Sequence, residues 1–198
     1  MTIDDKDMIN SILESVSRID YIKPEDIPNI DLYMDQVTTY LNDKFANTKR
    51  HEDDKLMTKT MINNYVKSRL LPSPEKKKYT KDHMMVLVMI YFFKNIISIN
   101  DVNKLITPLL DSYFHNEEIP LENIINTFLT FAKQCNLTDT ILTEYNECRE
   151  IFKDADVKDK EYLETMGLIT MLSYDTFVRK IVIEKLIDSL PDTENTEK

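Results

Sequence analysis

The chain has 198 residues, 42% of them hydrophobic and 30% charged, a formal net charge of −10 and a single glycine, Gly167. This is the size of one domain or two small ones, and one glycine excludes the phosphate-cradling GxxxxGKS/T loop, the GxGxxG turn and the GxSxG nucleophile elbow. It also points to an all-α architecture, because sheet-rich folds use glycine in their tight turns.

Met8, Ile9, Ile12, Leu13, Val16 and Ile19 recur at helical spacing and predict an amphipathic helix over residues 4–19. Pro24 and Pro28, in YIKPEDIPNI, mark a connector. A helix over 32–46 is expected to turn Tyr33, Val37, Tyr40, Leu41 and Phe45 inward. Past the polar run NTKRHEDDK, Thr58 is placed to cap a helix over 59–70. On a helical wheel Met61, Ile62, Tyr65 and Val66 share one arc, with Thr60, Asn63, Asn64, Lys67 and Ser68 opposite. Arg69 falls within the apolar arc near the helix end, where its stem can pack. Asn pairs with adenine at two points and Lys reaches guanine or phosphate, so the polar arc suits DNA. An ordinary solvated face has the same composition.

LLPSPEKKKYT follows, and a short hairpin there would present Lys76, Lys77 and Lys78 to phosphate. A plain solvated loop would carry the same residues. Thr80 is placed to cap a helix over 81–94 whose apolar run, MMVLVMIYFF, predicts burial on all sides. That run is far short of the roughly 20 residues that span a bilayer. His83 is expected on the exposed side of this helix's first turn. Ser98, with Asp101 three residues on, forms a capping-box-like start to the next helix, which Pro108 is expected to kink or split. Pro120 precedes a helix carrying Leu121, Ile124, Ile125, Phe128, Leu129 and Ala132 on one face, and Thr138 begins another with Tyr145, Cys148 and Phe152. A last helix over 162–190 is expected to turn Phe177, Val178, Ile181, Val182, Leu186 and Ile187 inward. The terminal PDTENTEK reads as disordered.

Charge is uneven. Residues 48–81 hold ten basic and four acidic side chains, a local +6 that leaves −16 for the remainder. A basic face on an acidic protein can hold a polyanion although the global charge repels one. Catalytic groups are not legible. His51, His83 and His115 form no pair at ligand spacing, and no histidine has a glutamate three residues before it. Cys135 and Cys148 read as reduced thiols on helices. The acidic start, MTIDDKDMIN, has no apolar signal stretch. The expectations are a cytoplasmic protein, not an enzyme, with no cofactor, no metal site and no membrane partner.

The stretch TKTMINNYVKSRLLPSPEKKKYTKDHMMVLVMIYFFKNIISINDVNKLI, Thr58 to Ile106, resembles the DNA-binding domain of MerR-type transcription regulators. Met61–Tyr65 falls where that family has a short aromatic-ended segment, RLLPSP at its step into the wing, and SINDVNKLI at the last helix of its domain. Asn63 stands where the family carries a basic residue, and the wing has no glycine, so its turn geometry differs. The whole chain, PNIDLYMDQVTTYL included, also resembles an uncharacterised bacterial family of small helical proteins known only as a domain of unknown function. The resemblance implies an N-terminal helix and linker over 1–30, a winged helix-turn-helix with a possible short β wing over 31–97, and a helical dimerisation or effector region over 98–190 before a tail at 191–198. It implies a homodimeric regulator of double-stranded DNA, with Thr60, Asn63, Asn64 and Lys67 toward the bases and Lys76, Lys77 and Lys78 on phosphates. A small-molecule effector pocket lined by Phe114, Phe128, Phe131 and Tyr145 would complete it. The alternative is a non-enzymatic protein-interaction module that uses the same basic face.

Overall fold

The computed structural model describes residues 5–17, 22–133 and 137–191. Eight α-helices lie among them: α1 (Asp5–Ser17), α2 (Met34–Lys44), α3 (Lys59–Lys67), α4 (Lys81–Lys94), α5 (Ile99–Tyr113), α6 (Leu121–Lys133), α7 (Leu137–Ile151) and α8 (Val157–Asp188). Two short strands, β1 (Leu32–Tyr33) and β2 (Lys78–Tyr79), pair antiparallel with Leu32 opposite Tyr79 and Tyr33 opposite Lys78. The described residues are therefore mostly helical, with one small sheet among them. Residues cluster into two compact units, one formed by 21–132 with 184–198 and one by 1–20 with 133–183.

The first unit is built around α4. Its residues 83–88, 90 and 91 are all buried, as an apolar run with no polar face requires. Val37 and Leu41 of α2, Phe45 just beyond it, Ile62 of α3, and Val102 and Ile106 of α5 join this core. Helix starts follow the local chemistry. Thr58 Oγ accepts from the Met61 amide at 3.2 Å, and Ser98 Oγ from the Asp101 amide at 3.2 Å. Pro108 does not split α5, which runs unbroken through it. Proline removes one ladder hydrogen bond, and the buried Val102 and Ile106 together with the Ser98 cap hold the helix across that gap.

Two element boundaries differ from expectation. β1 replaces the first turn of the expected 32–46 helix, and pairing with β2 leaves the Tyr33 ring 54% exposed instead of inward. α3 ends at Lys67, because Ser68 caps it and Arg69 takes a left-handed φ of 61° that reverses the chain. Arg69 is thus exposed and outside the helix, while Leu70 and Leu71 return to the core.

In the second unit α1, α7 and α8 share a small core of Ile9, Leu13, Tyr145, Cys148 and Leu168. Gly167 is the close-packing point of α8. A Cβ there would stand 3.1 Å from the Phe152 ring and 3.3 Å from Cys148 Sγ. Cys148 is a buried free thiol, raised above its ordinary pKa by burial and by the Glu144, Glu147 and Glu164 carboxylates. Phe177, Val178, Val182 and Leu186 of α8 are exposed, contrary to their expected inward placement, and only Ile187 of that set is buried. Helical spacing marks one face of a helix but not whether anything covers it. Ile19, Cys135 and residues 192–198, including most of the expected disordered tail, lie outside the described residues.

Candidate nucleic-acid interface

α3 divides as its wheel predicts. Ile62 and Tyr65 are buried and Met61 and Val66 half-buried, whereas Thr60, Asn63, Asn64, Lys67 and Ser68 are all exposed. Polar side chains gathered on one outer face can read or grip a ligand without disturbing the packed one. Lys59, at the start of the helix, forms an ion pair with Asp35 of α2.

The entry to α3 is held from two sides. The Asn42 side-chain amide, on α2, donates from Nδ2 to the Met57 carbonyl at 2.7 Å and accepts the Met57 amide at Oδ1 at 3.2 Å. Lys94, at the end of α4, donates from Nζ to the Leu56 carbonyl at 2.9 Å, and its ammonium lies 5.1 Å from the Tyr91 ring centre. Burial pulls the Lys94 ammonium below its ordinary pKa. Two consecutive residues before the Thr58 cap are therefore anchored by side chains of α2 and α4. Upstream, the His51 and Arg50 amides both donate to Asp54 Oδ2 at 2.9 Å, which holds that carboxyl below its ordinary pKa. Asn42→Ala strips Met57 of both backbone partners. It is expected to lower unfolding free energy in urea by about 2 kcal/mol, whereas the exposed Asn63→Ala should lie within about 0.5 kcal/mol of wild type.

The three lysines divide into two kinds. Lys76 and Lys77 are exposed and form a two-residue hairpin turn with φ of 47° and 63°, closed by the Lys78 amide donating to the Glu75 carbonyl at 2.8 Å. Both central residues at positive φ make this a type I′ turn, where Asn-Gly is the favoured pair. Lys78 is half-buried in β2, and its ammonium sits 5.8 Å from the centre of the Tyr33 ring. Tyr33 is a surface aromatic beside the turn that the sequence pattern did not mark, because only the pairing of β1 with β2 brings it there.

His83 is the clearest reversal. It is 2% exposed, with Nδ1 accepting the Thr80 amide at 3.1 Å in a capping box that closes the α4 N-terminus. Burial first, and then the neighbouring His115, push its pKa down to about 4. Of the aromatics expected to line a pocket, Phe114 stacks on His115 with ring centres 4.3 Å apart, Phe128 and Phe131 are exposed on α6, and Tyr145 belongs to the core of the other unit. No group of three or more histidine, cysteine or carboxylate side chains among the described residues is arranged to hold a metal ion. No helix among them is long and apolar enough to cross a membrane.

No curated protein and no solved structure matches the chain. Residues 22–131 match the family model described as Domain of unknown function (DUF1836). That span nearly coincides with the continuous 21–132 part of the first unit and contains α3, the lysine turn and the histidine cap. With more than half of its length matched, the chain belongs to the DUF1836 family.

Proposed function

We propose that the chain is a DNA-binding transcriptional regulator that acts as a homodimer, with α3 in the major groove and the lysine turn on the phosphate backbone. The observation that carries this reading is the turn itself. Two lysines occupy left-handed backbone positions, in a chain that places its one glycine elsewhere. Left-handed backbone costs a non-glycine residue roughly 1–2 kcal/mol, and a strained position retained at a tip is a reason to look for function there. The order α3–hairpin–α4–α5 supports the reading, since it follows the recognition helix, wing, long apolar helix and polar-capped helix of the MerR-type domain that the sequence resembles. So does the local +6 charge of residues 48–81. Thr60, Asn63, Asn64 and Lys67 face the bases, and Lys76, Lys77 and Lys78 neutralise phosphate.

Duplex binding measured against salt separates these roles. Asn63→Ala/Asn64→Ala is expected to flatten preference among sequences while leaving the salt slope unchanged, because bases and not phosphates lose their partners. An unchanged preference contradicts the placement of α3. Tight binding to an acidic protein that duplex DNA does not displace would move the assignment to an interaction module using the same face.

A further inference from the structure

A chain of three side chains ties the hairpin to the helix behind it. Thr80 directly follows β2 and caps α4. Its amide donates to His83 Nδ1 at 3.1 Å, its hydroxyl lies 2.8 Å from the same nitrogen, and His115 Nε2 stands 3.0 Å from that hydroxyl. His115 is itself fixed, with its amide donating to Asp82 Oδ2 at 2.8 Å. One proton arrangement satisfies these bonds. His83 Nδ1 takes a backbone N–H and so carries no proton, the Thr80 hydroxyl donates to it, and His115 Nε2–H donates to the hydroxyl. His83 Nε2 then bears the ring proton, on the buried side of the ring, where the Pro72 and Ser73 carbonyls favour it.

A proton on His83 Nδ1 turns the acceptor into a donor that faces a backbone N–H, so the Thr80 amide loses its partner and the Thr80 hydroxyl must turn from donor to acceptor, in competition with His115 Nε2–H. We propose that His83, Thr80 and His115 form an acid-operated latch on the lysine hairpin, in which protonation of His83 uncaps α4, loosens β2 and weakens DNA binding before the protein unfolds. The latch rests on the DNA-binding reading above.

The surroundings set where it operates. Burial and then His115 oppose the charged ring, while the Pro72 carbonyl, Asp82 and the Ser73 carbonyl favour it. Tyr79 of β2 meets the ring edge-on at 5.6 Å, its hydroxyl raised above the ordinary pKa by burial. Lys81 is held by Glu122 of α6 at 2.7 Å, and Asp31 lines the adjoining 260 Å³ cleft with Thr80, Asp82 and His115. The folded protein binds the His83 proton more weakly than the unfolded chain, with its pKa at about 4 against an ordinary 6.5. The latch is therefore intact above the ordinary value and fails progressively as pH falls from there toward 4.

His83→Gln tests it, because glutamine at this capping-box position still accepts the Thr80 amide but does not titrate. Duplex affinity at constant salt and amide exchange across residues 76–88 are measured for both proteins at about pH 7.5 and about pH 5. The opening of this segment in the wild type is expected to become roughly thirtyfold more favourable relative to His83→Gln, from the interval between the ordinary 6.5 and about pH 5, so that protection and affinity fall in the wild type and not in the variant. Equal responses overturn the latch. His115→Gln removes the opposing histidine and is expected to move the wild-type transition to higher pH, and an unmoved transition counts against the latch even if His83→Gln folds poorly. Absence of duplex binding at about pH 7.5 is the failure of the DNA reading alone, since the exchange comparison still decides the latch.

Discussion

Replacing the Lys76–Lys77 turn by Asn-Gly is expected to make the protein more stable and, on the DNA-binding proposal, to weaken duplex binding at the same time. Asn and Gly adopt the two left-handed positions without the lysine side-chain clash, so the urea midpoint should rise by an amount equivalent to about 1–2 kcal/mol. The same change removes two exposed ammonium groups from the hairpin tip. Each ammonium taken away from a phosphate lowers the slope of log affinity against log salt by about 0.9. Taking away two amounts to roughly a fifty-fold weaker complex at about 100 mM salt. Opposite signs for stability and affinity are what separate a functional turn from a structural one. A variant that gains stability and binds as tightly as wild type would show that the lysines do not touch DNA.

The second large effect lies in the core that seats α3. Phe45 caps α2, is 1% exposed, stacks on Tyr91 with ring centres 3.7 Å apart and meets Phe92 edge-on at 5.9 Å. Tyr91 also bonds through its hydroxyl to Thr48, so this aromatic pair fastens the loop between α2 and α3 to α4. Phe45→Ala leaves a cavity between these rings and is expected to cost about 3–5 kcal/mol in urea unfolding. Phe45→Leu keeps much of the volume and should cost roughly half as much. A cost below about 1 kcal/mol for the alanine variant would mean that the loop is not held here.

What the sequence makes legible in this fold is what short-range chemistry decides. Thr58, Thr80 and Ser98 cap the helices they precede, because a cap needs only the next few amides. The two arcs of α3 and the buried α4 follow from the spacing of apolar residues along one helix. What escapes is set by distant partners. Leu32–Tyr33 is a strand only because Lys78–Tyr79 lies beside it. His83 is buried because Phe114 and His115, from the end of α5, close over it with ring centres 4.9 Å and 6.0 Å away. A short hairpin at the lysine triplet was legible, but without an Asn-Gly pair its type I′ turn, with Lys76 and Lys77 at positive φ, was not. Within the candidate interface the exposed residues of α3 were readable, whereas Tyr33, the Asn42 and Lys94 anchors and the division of Lys78 from its neighbours depended on tertiary packing.

The most direct test is selection of bound fragments from sheared DNA of the source organism at about 100 mM salt, a regime where phosphate neutralisation still contributes strongly. A homodimeric reader predicts enrichment of a short inverted repeat with half-sites about one helical turn apart. The enrichment should be lost when Asn63 and Asn64 are changed to Ala. A folded protein that enriches no sequence would contradict the account and leave the basic face of α3 and its hairpin to some other acidic partner.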